Sequence, residues 1–279
     1  MCSNTRQEKY STVMILGDLS FAGDFLTKPD AESLVDHEFR KLIQNSFTIA
    51  NLEAPLTGRI KERRTTGPSE KCDPESAEEM KKLGINAVSL ANNHIMDFGE
   101  GGLKDTVRAC KKAGITSFGA GKNIKDAGVP LVIPLTSGTI KVIGVTEEEF
   151  SLAGTHTEGA YPADPILCSE LISSVKEDGD ILIVLLHMGM AMYRYPSPKL
   201  QKLSRFLADI GADLVITQHS HCPGTIENYH GKTLIYGQGN FFYAGKSKNP
   251  LWRLGFAVQL KLTGNGEYDI DLIPIRQAV

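Results

Sequence analysis

Six side chains with metal-ligand chemistry sit at the ends of short apolar runs in this chain of 279 residues. Gly17-Asp18 follows Thr12–Leu16, Asn51-Leu52-Glu53 follows Phe47–Ala50, and Asn92-Asn93-His94 follows Ala87–Leu90. His187 closes Ile181–Leu186, and Gln218-His219-Ser220-His221 follows Leu214–Thr217. Asp18, Glu53, the Asn93 amide and the imidazoles of His187, His219 and His221 form a mixed oxygen and nitrogen set. Such a set suits Zn, Mn, Fe or a similar divalent ion and needs no thiolate. Singly, each residue has an ordinary explanation. An Asp after a strand is usually a turn or helix cap, Glu53 a solvated loop acid, Asn93 a turn residue and His187 a hydrogen-bonded core histidine. The His219/His221 pair is harder to dismiss, because alternate strand residues share a face. Jointly the set points to a metal.

The elements that must position these groups are legible as periodicities. The five apolar runs are short and mostly β-branched or Leu, as buried strands are. Between them the spacing predicts amphipathic helices. Pro198–Ile210 places Leu200, Leu203, Phe206, Leu207 and Ile210 on one stripe, with Ser197 as N-cap, Pro198 at the first position and Gly211 at the end. Gly102–Ala113 carries Leu103, Val107, Cys110 and Ala113 and stops at Gly114, and a third helix ends at Gly84 after Met80 and Leu83. Alternating strands and helices predict a largely parallel sheet covered by helices. Parallel strands would deliver every chemical group to the carboxyl edge, where open α/β sheets place their sites. The late runs Thr233–Tyr236, Phe241–Tyr243, Phe256–Leu262 and Tyr268–Ile273 come with glycine turns and predict a second, antiparallel portion. Repeats, low-complexity tracts and long linkers are absent. One domain over residues 1–279 is therefore expected, with 1–11 a disordered or loosely packed N-terminus.

Bulk properties narrow the classes. A net charge of −3 and a pI near 6.2 argue against nucleic acid as partner. The apolar runs, Ile181–Leu186 among them, are too short to span a bilayer. Met1–Thr12 is polar and lacks the apolar stretch of a signal peptide. Cys2, Cys72, Cys110, Cys168 and Cys222 show no CxxC spacing and read as reduced thiols, buried or at the surface. A cytoplasmic location is the expectation, and the oligomeric state stays open.

Longer motifs add a family likeness. Gly17-Asp18, Asn51-Leu52-Glu53-Ala54-Pro55-Leu56-Thr57 and Leu90-Ala91-Asn92-Asn93-His94-Ile95-Met96-Asp97-Phe98-Gly99 come first. His187-Met188-Gly189, Gly211-Ala212-Asp213-Leu214-Val215-Ile216, His219-Ser220-His221 and Ile235-Tyr236-Gly237-Gln238-Gly239-Asn240-Phe241 follow in order. The set resembles the bacterial capsule-synthesis CapA family of the poly-γ-glutamate biosynthesis type, related to calcineurin-like metallophosphoesterases. The resemblance implies a four-layer αββα fold, two mixed sheets flanked by helices, descended from a dinuclear metal hydrolase group. It also implies roles. Asp18 matches the first metal motif, and Glu53 takes the place of the bridging carboxylate. Asn93, His187 and His219 look like ligands of one ion, Asp18 and His221 of the other. His94 matches the histidine that protonates the leaving group or steadies the transition state, and Asp97 would orient it.

Three departures qualify that likeness. The phosphoesterase motif Asp-any-His has Ser20 at its third position here, as is general in the capsule family, which predicts one tightly held ion and one labile one. Where relatives show His-Trp-Gly and then Glu-Tyr, this chain has His187-Met188-Gly189-Met190-Ala191-Met192. Methionines there would make an adaptable apolar lining or plain core filling, with Tyr193 and Arg194 offering a phenol and a cation to an anion. The membrane anchor common among relatives is not seen. The expected function is a metal-dependent hydrolase acting on a phosphoester or glutamyl-type amide. The alternatives are a non-catalytic accessory protein binding a polyanionic glutamyl chain, and a structural protein with relic ligands. Arg59-Ile60-Lys61-Glu62-Arg63-Arg64 would supply cationic contacts for a small-molecule or polyglutamyl anion, or else form a solvated basic loop.

Overall fold

In chain order the elements are β1 (Thr12–Ser20), α1 (His37–Gln44), β2 (Phe47–Leu52), α2 (Ser76–Leu83), β3 (Ile85–Ser89), α3 (Gly99–Lys112), β4 (Thr116–Phe118) and β5 (Ala120–Gly121). Next come α4 (Ile124–Ala127), β6 (Leu131–Leu135), β7 (Gly138–Thr146), β8 (Gly159–Ala160), α5 (Pro165–Val175), β9 (Ile181–His187) and α6 (Pro198–Asp209). The last are β10 (Leu214–Gln218), β11 (Pro223–Tyr229), β12 (Lys232–Gln238), β13 (Asn240–Tyr243), β14 (Leu254–Gly264) and β15 (Glu267–Arg276). The structure is a computed structural model and describes residues 10–22, 35–61, 68–135, 138–147, 151–243, 247–264 and 267–277. Most of the expected loose N-terminus, Cys2, and the Glu62-Arg63-Arg64 end of the basic segment lie outside the described residues.

Two mixed sheets dominate. The first runs β15-β14-β1-β2-β3-β4, with β13 also pairing with β1, and the second runs β11-β12-β10-β9-β7-β6. Strands β1 to β4 are mutually parallel, as are β7, β9, β10 and β12. Side chains alternate between faces along a strand, and the core divides accordingly. Val13, Ile15 and Ile49 of the first sheet meet Ile183, Leu185, Leu214 and Ile216 of the second between the sheets. Met14, Leu16 and Val88 face Ile43, Met80, Leu83, Leu103 and Cys110 of α1, α2 and α3. Leu182, Val184, Leu186 and Val215 face Cys168, Ile172, Leu200, Leu203 and Leu207 of α5 and α6. The layers are therefore helix, sheet, sheet, helix, as expected. Each fully buried Leu or Ile contributes about 1.5–3 kcal/mol, and a one-residue slip of any strand would turn its set to the wrong face.

The helix signals act as read. Ser197 Oγ accepts the Leu200 N–H and Pro198 opens α6, while Gly84, at φ 98°, takes the left-handed conformation that ends α2. Helix α3 begins at Gly99, almost a turn earlier than its apolar stripe suggests. Helices α1 and α5, the β6–β7 hairpin and β11 are additional to the elements expected from sequence. The late segment corrects the sequence reading. Antiparallel pairing is present at β11–β12 and β14–β15, but it forms no second portion: β12 joins the second sheet parallel to β10, β13 joins the first parallel to β1, and β14 pairs antiparallel with β1. Gly237 and Gly239, at φ 106° and 77°, let the chain pass from one sheet to the other in the space of Gln238 and Gly239. No helix among the described residues is long and apolar enough to cross a membrane.

Candidate metal centre

Parallel pairing within each sheet, and face-to-face stacking of the two, bring the chemical groups to one end of the sandwich. Asp18 stands opposite Asn51 across β1 and β2, and His187 opposite Gln218 across β9 and β10. Strands β1, β2, β9 and β10 run further than their apolar cores, so Asp18, Asn51 and His187 are strand residues rather than the first residues of loops. Glu53 follows β2 and is fixed by its N–H donating to Leu19 O at 2.9 Å.

Around Glu53 the donors close into two groups. His187 Nε2 lies 3.3 Å from Glu53 Oε1, 2.8 Å from Asn93 Oδ1 and 3.0 Å from His219 Nδ1. On the other side, His221 Nδ1 lies 3.3 Å from Asp18 Oδ2, and His221 Nε2 lies 3.6 Å from Glu53 Oε1. Ligand atoms of Glu53, His187 and His219, and separately of Asp18, Glu53 and His221, all fall within 4.8 Å of one another. Two donors on one tetrahedral ion, at ordinary Zn–O and Zn–N lengths, stand roughly 3.4 Å apart. All six residues expected to hold metal are therefore brought together, Glu53 between the two groups.

Glu53 supplies the test of fit. Its side chain is fully buried, yet neither carboxylate oxygen has a hydrogen-bond partner among the described residues. A buried carboxylate without donors is costly, and a cation held by this donor set removes the cost. Burial works against the charged form of Glu53, but the neighbouring imidazoles, His221 first and then His187, prevail and hold its pKa well below the carboxylate range. Burial also works against protonated His221, which Glu53 and Asp18 nevertheless carry to about 9. At His187 burial wins, lowering the pKa toward the neutral imidazole that binds metals.

The histidine pair is held otherwise than its spacing suggests. Strand β10 ends at Gln218, and His219 and His221 lie in the turn beyond it at φ 85° and 51°. Non-glycine residues rarely adopt this left-handed backbone, and where they do the surroundings impose it. Here the His219 N–H donates to Asp18 Oδ2 at 3.1 Å, so a carboxylate of the first sheet helps set the turn of the second.

Beside the two groups, His94 Nδ1 lies 2.7 Å from Asp97 Oδ2, the contact expected of an orienting acid. Burial opposes the charged imidazole, but Asp97, Glu53 and Glu70 raise the His94 pKa. Ser20, in place of the phosphoesterase histidine, turns aside: its Oγ accepts the Ala22 N–H at 3.3 Å and lies 3.8 Å from Cys72 Sγ. The methionines divide, Met188 being buried and Met190 exposed. Met192 has φ 62° and donates its N–H to Ser220 O at 2.7 Å. A cavity of about 200 Å³ beside this loop is lined by Met188, Met190, Tyr193, Leu200, Thr217 and Tyr236. Arg194 Nε donates to Pro223 O, and Arg59 pairs with Asp105 at 2.8 Å. Cys222 is buried, and burial raises its thiol pKa, so it is no reactive neighbour of the histidines.

Residues 12–244 match the family described as bacterial capsule synthesis protein PGA_cap. The chain belongs to the PGA_cap family. Among relatives, the "PGA biosynthesis protein CapA" of Bacillus subtilis is 29% identical over 272 residues, covering 93% of this chain and 72% of that protein. The "Capsule biosynthesis protein CapA" of Bacillus anthracis is 25% identical, covering 97% of this chain and 68% of that protein. A "Probable polyglutamine synthesis accessory protein" of Mycobacterium tuberculosis is 30% identical over 71% of this chain and 57% of that protein. A crystal structure of a hypothetical protein from Thermus thermophilus shares the fold, with a TM-score of 0.59 at 14% identity over 96% of this chain and 100% of that one.

In this PGA_cap chain several residues at the centre had no role assigned from sequence. Asn51 Nδ2 donates to Asp18 Oδ1 at 2.8 Å and faces His187 Nδ1 at 3.2 Å, bracing one group against the other. Asn92 Nδ2 donates to Leu52 O at 2.8 Å and ties the Asn93-His94 turn to β2. Tyr243 is buried against the ring of His221. Burial raises its phenol pKa, with Glu53, Glu70 and Asp18 adding to it, so it stays a protonated donor beside the carboxylates. The signal for Asn51 was its place two residues before Glu53. For Tyr243, which reaches the centre only through the β1–β13 pairing, none existed.

Proposed function

We propose that this protein is a metal-dependent hydrolase of the capsule (poly-γ-glutamate) biosynthesis family, acting on a phosphoester or a glutamyl-type amide. Glu53 carries this reading: a buried, ionised carboxylate without donors, ringed by His187, His219 and His221. One ion, Mn, Zn or Fe, would be held by Glu53, Asn93, His187 and His219. A second, weaker one would be held by Asp18, Glu53 and His221. When bound, a divalent ion supplies Lewis-acid polarisation of the scissile group and water activated near neutral pH.

The chain's own residues do the rest. Asp97 accepts from His94 Nδ1–H and so keeps the imidazole's other nitrogen, Nε2, for a proton bound for the leaving group. A phosphate or carboxamide oxygen becomes more negative as its bond breaks, and the Tyr243 hydroxyl can donate to it without ionising. Met188 and Leu200 line the neighbouring cavity with apolar surface.

A second reading is favoured by the relative named as a polyglutamine synthesis accessory protein. This chain would then bind a polyanionic glutamyl chain without turnover, with Arg59 and Lys61 of the basic segment as cationic contacts. The test is elemental analysis combined with turnover of aryl phosphoesters and γ-glutamyl anilides, in the wild type and His94→Ala. Metal content equal in both, with turnover only in the wild type, supports the hydrolase. Tight metal with no turnover on either substrate class shifts the assignment to binding.

A further inference from the structure

We infer that Asn240 fixes the tautomer of His221, so that Nδ1 carries the ring proton and Nε2 is the nitrogen presented to an ion at Glu53. The inference rests on the metal reading above. It begins with a register: β13 runs parallel to β1 and sets Asn240 directly opposite Asp18. Asn240 is fully buried, and the opposing strand crowds it: a Cβ on Gly255 would lie 2.3 Å from Asn240 O. The side chain has two contacts. Its Nδ2 donates to Trp252 O at 2.8 Å, and its Oδ1 lies 3.0 Å from His221 Nδ1.

The first contact decides the second. A carbonyl oxygen can only accept, so the amide nitrogen must face Trp252 O, and the flipped amide would set two oxygens against each other. Asn240 Oδ1 is thereby committed to His221, and it too can only accept. Nδ1 must supply the hydrogen. The other group near Nδ1, Asp18 Oδ2 at 3.3 Å, is also an acceptor and demands the same proton. Nε2, 3.6 Å from the donor-less Glu53 Oε1, is left with its lone pair for a metal once unprotonated. Packing holds the ring in this attitude: the Trp252 and Tyr243 rings lie 4.8 and 4.9 Å from the His221 ring, centroid to centroid. Asn240 is thus a positioning residue. Partners of this kind set which nitrogen of a histidine ligates and typically alter metal affinity by about 10- to 100-fold.

The experiment is long-range proton–nitrogen NMR on the ¹⁵N-histidine protein loaded with Zn(II), with zinc affinities measured by competition with a chelator. In the wild type, His221 should show zinc on Nε2 and a protonated Nδ1. Asn240→Leu, which removes the acceptor, should weaken one zinc site by about 10- to 100-fold and leave the site of His187 and His219 unchanged. Asn240→Asp keeps an acceptor for Nδ1 while losing the donor to Trp252 O, and where it folds it should retain the Nε2 pattern. Zinc on Nδ1 in the wild type, or a folded Asn240→Leu with both affinities unchanged, overturns the inference while leaving the metal reading intact. A wild-type protein that takes up no zinc overturns the metal reading itself, and the inference with it. The wild-type nitrogen assignment needs no variant, so misfolding of either substitution leaves a decisive result.

Discussion

Asp97 Oδ2 stands 2.7 Å from His94 Nδ1 and receives the backbone N–H of Glu70 at the same distance. One buried carboxylate oxygen therefore holds both the imidazole beside the metal-ligand groups and the strand of chain that returns toward them. Removing the imidazole should act on chemistry alone. His94→Ala is expected to lower turnover by about 10²–10⁴-fold, with bound metal unchanged by elemental analysis. Asp97→Asn should keep the packing but loosen the ring, with a loss on the order of 100-fold. Equal rates in wild type and His94→Ala, at equal metal content, would remove His94 from the mechanism.

Glu53 faces both donor groups, so its loss should empty both. Glu53→Gln is expected to retain less than about a tenth of the wild-type metal after dialysis and to bind little when metal is supplied, whereas His187→Ala should lose the tight ion but still take up the weaker one, with Asp18 and His221, when metal is present in the buffer. The order-of-magnitude effect follows from removing a directly bound ligand, at least as severe as removing its outer partners. Metal counts by plasma mass spectrometry decide it. Full occupancy in Glu53→Gln would sink the bridging assignment.

Gly17 precedes Asp18 at the closest approach of β1 to the β12–β13 crossing. A Cβ there would lie 1.9 Å from Gly239 O, a backbone atom with nowhere to go. Gly17→Ala should therefore destabilise the protein by roughly 2–4 kcal/mol, visible as a lower midpoint in urea. It should also displace Asp18, weakening zinc binding. An unchanged midpoint would show that the crossing yields easily.

Cys72, Cys110 and Cys168 are buried, and burial pushes each thiol up to about 12. At pH 8 the reactive thiolate is scarce and shielded. Maleimide labelling of the native protein, mapped by peptide mass spectrometry, should leave all three unmodified, and labelling in guanidinium should modify all three. Rapid native labelling at Cys110 would show that α3 lifts from the first sheet.

Glu227 lies between Arg205, at 2.7 Å, and the Tyr236 hydroxyl, also at 2.7 Å. Burial raises its pKa somewhat, but the hydrogen bonds from Arg205 and Tyr236 prevail and hold it below the usual Glu value. A depressed carboxylate contributes stability above its unfolded pKa, about 4.3, and loses it as pH falls through the folded pKa. Wild type should thus melt above Glu227→Gln at pH 7, by a few degrees at most because the ion pair is partly exposed. The gap should close below about pH 4. A gap that widens in acid contradicts the assignment.

The sequence by itself determined the strands and helices whose apolar pattern is strong, and the order in which chemical residues reach their ends. It singled out the candidate donors, because a mixed carboxylate, amide and imidazole set at strand ends is the composition a divalent ion would take. Periodicity, however, is a local quantity, and it could not decide which strands pair. The passage of the chain between sheets at Gly237 and Gly239, the left-handed turn of His219 and His221, and Asn240 opposite Asp18 all depend on contacts between segments far apart in sequence. Only the stacked sheets bring Asp18 within 3.3 Å of a histidine some two hundred positions away. Burial there, by stripping water from Glu53, turns a loop acid into a candidate ligand.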